Sequence, residues 1–418
     1  MNRKQLLVLL GLVVILGVVG LVLYQHNQTS WQGSGRQGAA SKLLGDLPVN
    51  DIASIVIKGG TNELDLVRQD NLWRVKQRND YPANFTEISS FLLKAADLKA
   101  VQTEEIGPSQ LGRYKLLPPG AATNTAVLLE LRDQGGKVIK SLLLGKTHMR
   151  KGEAQPSPMG EMGGDNQGFP DGRYVMVGTG AKTLAVVSDP LSNVEAKPDA
   201  WLNKDFFKVE KIRSIAVAYP VATNSWKVTR DTETATDWKL ANAKPDEKLD
   251  SSKTSSLSYA LSSPSFTDVL PADTKPEQVG LDKPTVVTID TFDNFTYTVK
   301  LGQKTNDNLP MVVAVTAQIS KERTPGKDEK PEDKAKLDNE FKEKQKKFEE
   351  KLSQEQSYGK WTYLVSSYAV DSLLKERNQL MAEKKEEPKK DDKTSSTESD
   401  KKEESEAPAA EPKPDAKK

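Results

Sequence analysis

The sequence predicts an α+β chain. An N-terminal transmembrane helix precedes two tandem duplicated modules, each a mostly antiparallel sheet with a packed helix, and a disordered C-terminal tail follows them. Three observations lead there. A single apolar run near the N-terminus is long enough to cross a bilayer. A set of short motifs recurs in the same order at offsets between 157 and 168 residues. Two charge-dense segments stand apart from a remainder of ordinary globular composition.

Composition excludes much of the usual chemistry. The 418 residues carry 60 Lys and Arg against 59 Asp and Glu, with 2 His and no Cys. A near-neutral balance lacks the basic face that nucleic-acid binding requires. Without cysteine there is no disulfide framework, thiolate metal site, iron–sulfur cluster, Cys nucleophile or lipoprotein anchor.

Residues 1–24 form a cytoplasmic stub and signal anchor. The run Leu6 to Tyr24 is uncharged and, at 1.5 Å per residue, spans about 28 Å, close to the hydrocarbon thickness. Arg3 and Lys4 precede it and the next charge is Arg36. The positive-inside rule therefore places the N-terminus in the cytoplasm and the bulk of the chain outside it. A cleaved signal peptide is the alternative, with Gly38-Ala39-Ala40 as a small-residue site, although the run exceeds a typical signal core. Residues 25–48 read as a linker, with His26 and Trp31 at the outer interface.

The first module covers residues 49–200. Ser54 to Ile57, Leu64 to Val67 and Trp73 to Val75 read as strands separated by the turns Gly59-Gly60 and Asp70-Asn71. Asn84 is an N-cap with Glu87 three residues on, and Ile88, Phe91, Leu92 and Ala95 follow at helical spacing. Further strands are expected at Ala126 to Leu131, Val138 to Leu144, Tyr174 to Val177 and Leu184 to Val187. Between them Met149 to Gly172 is a Gly-, Met- and Pro-rich insert. It reads as a loop, or as a docking surface built on Met159, Met162 and Phe169.

The second module covers residues 201–382. It opens with a weaker, Ser-rich helix at Ser251 to Leu261. Strands follow at Thr285 to Asp290, Thr296 to Leu301, Met311 to Val315 and Trp361 to Val365, then a helix from Val370 to about Glu383. A charged helical insertion, 321–356, interrupts its last hairpin with 11 basic and 11 acidic side chains. There Leu337, Phe341, Phe348 and Leu352 form one stripe, suited to packing on the module itself or to docking a partner. Residues 383–418 hold no aromatic residue and no Leu, Ile or Val, and cannot bury enough surface to order themselves.

The repeat ties the modules together. Ser54-Ile55-Val56-Ile57 returns as Ser214-Ile215-Ala216-Val217. Leu66-Val67-Arg68 with Trp73-Arg74-Val75 returns as Val228-Thr229-Arg230 with Trp238-Lys239-Leu240. Gln110-Leu111-Gly112 and Lys115 return as Gln278-Val279-Gly280 and Lys283, and Leu143-Leu144-Gly145-Lys146 returns as Lys300-Leu301-Gly302-Gln303. These motifs, the anchor, the run Gln278 to Pro284 and the link Trp201-Leu202-Asn203-Lys204-Asp205-Phe206-Phe207 resemble a domain-of-unknown-function family, DUF4340, over about residues 45–380. Copy one departs from it with Gly112-Arg113-Tyr114-Lys115 where Gly-Leu-Asp-Lys-Pro is usual. The resemblance implies a protein of the bacterial cytoplasmic (inner) membrane, single-pass and extracytoplasmic in bulk. It also implies association with subunits of an ABC-type transporter resembling gliding-motility components. It implies no activity.

Catalytic motifs are sparse. Gly33-Ser34-Gly35-Arg36-Gln37-Gly38 fits a phosphate-loop pattern but lacks the strand before it and the helix after it, so it reads as a tether. His148 has no local nucleophile pattern and reads as a turn residue. Asp290 with Asp293, and Asp165 with Asp171, are possible carboxylate pairs in loops. Trp73 and Trp238 read as repeated core aromatics or as exposed ligand platforms, and Trp201 as a pin between modules. No catalytic, cofactor-binding or metal-ligating residue is assigned and no cofactor is expected. The chain reads as an accessory or scaffold protein, not an enzyme. An envelope ligand-binding module for glycan or peptide, or a carboxylate-based hydrolase, are the alternatives.

Overall fold

The computed structural model describes residues 42–120, 123–150, 169–326 and 329–383. The apolar run 6–24, the glycine pattern 33–38, His26, Trp31, Met159, Met162, Asp165 and the tail beyond 383 lie outside the described residues. No helix among those described is long and apolar enough to cross a membrane.

Two antiparallel sheets make up the body. The first contains β1 (Ser54–Gly59), β2 (Asn62–Gln69), β3 (Leu72–Val75), β4 (Tyr81–Pro82), β5 (Ala100–Glu105), β6 (Val127–Arg132), β7 (Val138–Arg150), β8 (Phe169–Val177) and β9 (Thr183–Val187). Its strands lie in the order β4-β3-β2-β1-β6-β7-β8-β9-β5. The second contains β10 (Ile212–Ala218), β11 (Trp226–Thr229), β12 (Lys239–Leu240), β13 (Phe266–Val269), β14 (Thr285–Thr291), β15 (Phe295–Leu301), β16 (Asn308–Ala317) and β17 (Tyr363–Ser366). Its order is β12-β11-β10-β14-β15-β16-β17-β13. From β3 and from β12 onward the two orders match strand for strand; β4 is the one addition. The edge strands β5 and β13 even share a register shift, between Ala100 and Gln102 and between Phe266 and Asp268.

Alternation of side chains sets the faces. Along β15, Phe295, Tyr297, Val299 and Leu301 are buried while Thr296, Thr298 and Lys300 are not. The period of two that marks a half-buried strand puts the first set in the core. In the first sheet the core face is covered by α1 (Phe85–Ala96), which buries Ile88, Phe91, Leu92 and Ala95. Asn84 caps it by accepting from the Thr86 and Glu87 amides. The corresponding helix of the second sheet is only α2 (Ser251–Thr254), continued by a 3-10 turn to Tyr259. Its serines compete for backbone hydrogen bonds and shorten it.

The charged insertion is α3 (Lys334–Ser357), laid back on its own sheet. Phe348 meets the Phe295 ring edge-on at 5.6 Å, and Leu352 also packs on the core. Arg323 holds the first turns through Asp338 at 2.7 Å and also pairs with Glu329.

The expected helix at 370–383 does not form. Two 3-10 turns, Asp371–Leu373 and Arg377–Leu380, take its place, and the segment becomes a strap across the second sheet. Its carbonyls bond outward instead of along a helix. Trp226 Nε1 donates to Lys375 O at 2.7 Å and the Asp250 amide to Leu380 O at 3.0 Å, while Arg377 pairs with Glu247.

The sheets meet along β4 and β13. Arg78 donates to both carboxylate oxygens of Asp268, at 2.7 and 2.8 Å, and Trp361 Nε1 donates to Asn79 O at 2.9 Å. Tyr81 presents its edge to Trp361, Phe266 and Tyr363. The link is stitched to the first sheet by the Asn84 amide on Trp201 O and the Asn203 amide on Pro82 O.

Candidate functional site

The repeated turn motif turns out to be a clasp. Gln110 Oε1 accepts the Gly107 amide at 2.9 Å, and Gln278 Oε1 accepts the Lys275 amide at 3.1 Å, so each glutamine closes its own 3-10 turn. Both turns press onto a glycine, Gly145 within β7 and Gly302 just after β15. A Cβ on Gly145 would fall closer than 3.0 Å to Tyr114 O, and one on Gly302 equally close to Val279 O. Gly280, at φ +71°, would meet the backbone of Gln303. These motifs answer to backbone approach, not to a ligand.

The repeated tryptophans are core residues. Trp73 is 5% exposed and Trp238 7%, so neither forms a platform. The guanidinium of Arg230 covers the Trp238 ring at 5.3 Å. Asp290 and Asp293 also separate into structural roles. Asp290 accepts from Ser214 Oγ and Thr296 Oγ1, both at 2.8 Å, and Asp293 pairs with Lys211 at 3.2 Å.

Two residues that the sequence places 23 apart are brought together. His148 on β7 and Asp171 on β8 approach at 2.6 Å through Nδ1 and Oδ1. The pair bridges the neck of a long hairpin whose outer residue, Phe169, is 77% exposed. Beside it lies an aromatic–cation group. Lys146 Nζ stands 5.6 Å from the Tyr114 ring and 5.5 Å from that of Tyr174, and the His148 ring meets Tyr174 at 5.5 Å. Desolvation, first, and then the neighbouring Tyr114 raise the Tyr174 phenol.

Sequence reasoning missed a groove of about 320 Å³ between α1 and the segment after β9. Phe91, Leu191, Val194 and Trp201 supply its apolar side; Glu87, Lys94 and Asp189 supply charge. The Trp201 indole N–H is buried with no acceptor, while its ring meets Phe91 edge-on at 5.9 Å. Leu191 holds φ +45°, an uncommon conformation for a branched residue. Asp189 Oδ1 accepts its amide at 2.8 Å, and the half-buried Arg173 donates to its carbonyl at 3.0 Å and to Gly145 O at 2.9 Å. Desolvation depresses the Arg173 pKa. A branched residue at positive φ, tied down by a guanidinium, was the available signal, but φ is not written in a sequence.

A second polar site lies at the end of α3. Glu355 is buried, accepting from Tyr297 Oη at 2.8 Å and from the Lys208 amide at 3.2 Å. Lys351 stands 3.8 Å away. Desolvation raises the Glu355 carboxyl above the usual carboxylate range, and those hydrogen bonds and Lys351 oppose the rise. Among the described residues no group of three His, Cys, Asp or Glu is placed to hold a metal ion.

No curated protein and no solved structure matches the chain. A family match covers a narrower stretch than the motifs suggested, from the hairpin insert through the Trp201 to Phe207 link and Trp238 to the Gln278 clasp: residues 161–284 match the domain of unknown function DUF4340.

Proposed function

We propose that this protein is a membrane-anchored accessory or scaffold subunit, working outside the cytoplasm at a bacterial inner membrane beside an ABC-type transporter, without catalysis of its own. In this reading the chain is two duplicated modules, 49–200 and 201–382. One observation carries it most: the motifs that recur between the two halves are spent on clasps, core aromatics and strands. The charged groups capable of chemistry serve the same end. His148 and Asp171 close a hairpin neck, and Glu355 fastens a helix. The membrane and transporter parts rest on the apolar run 6–24 and on what the DUF4340 resemblance implies.

Affinity purification of the tagged full chain from gently solubilised membranes, followed by mass spectrometry, tests it. Stoichiometric membrane and ATPase subunits of a transporter are expected, and their recovery should weaken when residues 1–24 are removed. Recovery of the protein alone would overturn a stable complex.

The Trp201 groove favours a second reading, an envelope module binding glycan or peptide. Its volume is at the lower end for small-ligand sites, and it joins apolar walls to a few charges. Titration with cell-wall glycan fragments and short peptides, followed by tryptophan fluorescence, should show saturable change that Phe91→Ala abolishes.

A further inference from the structure

The chain after β9 and the strap after β17 are built alike. Leu202 bridges Ala83 and Met381 bridges Leu249, both antiparallel. The Asn84 amide donates to Trp201 O and the Asp250 amide to Leu380 O, while the Asn203 amide donates to Pro82 O and the Ala382 amide to Lys248 O. A 3-10 turn precedes each bridge, Pro198–Trp201 in one half and Arg377–Leu380 in the other. Upstream, the Val194 amide donates to Leu191 O and the Leu373 amide to Val370 O. Counted from the ends of the two strands, the segments therefore correspond residue for residue. The caps Asn84 and Asp250 likewise stand equally far before the register shifts of β5 and β13, so α1 and its shorter counterpart also align without a gap.

The second half is thus an internal control for the groove between α1 and the segment after β9. It builds the same corner with Lys253 in the place of Glu87, Ala260 for Lys94, Tyr368 for Asp189 and Leu380 for Trp201. Leu373 and Leu380 are fully buried there, so the corner needs apolar packing but none of the first half's three charges. The second half also sets a cation of its own across the corner, where Lys253 Nζ donates to Met381 O at 2.9 Å. In the first half that place belongs to an exposed carboxylate.

Charge around the groove is unbalanced. Glu87 and Asp189 face one ammonium, Lys94, whose Nζ stands 3.8 Å from Asp189. Arg173 lies behind the loop, donating to the carbonyls of Gly145, Pro190 and Leu191, with Glu195 as its opposite charge. A surplus carboxylate therefore sits beside the apolar wall of Phe91, Leu191 and Val194.

We propose that this groove takes a peptide carrying a lysine or arginine next to an apolar residue, with the apolar side chain against Phe91 and Val194 and the cation at Glu87 and Asp189. The proposal rests on the ligand-binding reading of the groove and narrows it to one class. A few charge-assisted hydrogen bonds on an apolar wall fix orientation in a site of this kind. A neutral glycan would leave the surplus carboxylate unused, and Trp201, 2% exposed, offers no open face to a sugar ring.

Calorimetric titration of the full-length protein in detergent tests this, using acetylated, amidated hexapeptides that carry Lys, Gln or Glu beside a central Phe. The Lys peptide should bind saturably, about tenfold more tightly than the Gln peptide, with Glu weakest and the preference shrinking in salt. Phe91→Ala should weaken every peptide. Glu87→Gln should remove most of the preference for Lys over Gln, and Glu87→Lys, the second half's own residue, should abolish it. Both should leave the melting temperature nearly unchanged, because the backbone amide of Glu87, not its side chain, meets the Asn84 cap. Equal affinity for the three peptides, or a preference that survives Glu87→Gln, would overturn the inference; sensitivity to Phe91→Ala would still keep the groove as a binding site. Phe91-dependent binding of cell-wall glycan fragments without any peptide binding would overturn it in the same way. No saturable binding of any of these would overturn both readings.

Discussion

Gly145 and Gly302 show how a single missing Cβ supports a repeated architecture. Each lets a carbonyl of the neighbouring clasp sit where a methyl group would be. Gly302→Ala should therefore cost about 1–3 kcal/mol, the range of an overpacked core. It should lower the melting temperature by several degrees, read by calorimetry. Gly180→Ala, with nothing within 4 Å, should change little. Glu355 makes a different residue-scale prediction. Its folded pKa is raised above the ordinary 4.5, mainly by desolvation, with the charge of Glu210 adding to the rise. A raised acid pKa favours the fold fully below the unfolded value, and that contribution is lost as pH rises through the folded value. Glu355→Gln lacks this loss. Its stability relative to the parent should grow between pH 4 and pH 8, by on the order of 1 kcal/mol, in urea melts at each pH. A constant difference would mean that the carboxyl is not titrating in that range.

At the scale of elements, the sequence disclosed what periodicity and capping encode. The strands with clean alternation, such as β14 and β15, and α1 with its Asn84 cap were all legible. Asn84→Ala should cost about 1 kcal/mol of stability, measurable by chemical denaturation, because two amides lose their acceptor. Three strands were not foreseen, the two-residue β4 among them. Of the others, β5 is almost wholly exposed and β13 is four residues long, so neither carries a period. The helix expected at 370–383 failed for another reason. Val370, Leu373 and Leu380 are buried as a helical stripe would require, but the backbone there is claimed by Trp226, Asp250 and Lys253. A sequence shows which side chains are apolar and not which distant donors will compete for its carbonyls. The groove was hidden likewise, since Phe91, Leu191 and Trp201 meet only through the fold.

For the whole molecule, the junction between the sheets decides how it behaves under stress. Arg78 and Asp268 form a two-pronged, largely screened ion pair, with side chains 15% and 24% exposed. A double-mutant cycle with Arg78→Ala and Asp268→Ala should give a coupling of about 1–2 kcal/mol, above the ~0.5 kcal/mol of an exposed pair. Combined with Tyr81→Ala, which empties the aromatic contact, the loss should split one calorimetric transition into two. A single sharp transition in that variant would place the coupling elsewhere, along the link at Trp201.

The strap at the end of the second sheet has a consequence for how the protein is made. The sequence of every strand of the first sheet is complete by residue 187, well before the chain ends, so that half can settle while synthesis continues. The second half cannot. Its opening hairpin and short helix wait for residues 375–382 to arrive and bind Trp226, Asp250 and Glu247. A nascent chain released shortly before residue 370 should therefore carry a finished first half and a protease-sensitive second one, and chaperones would meet this protein chiefly through its later half.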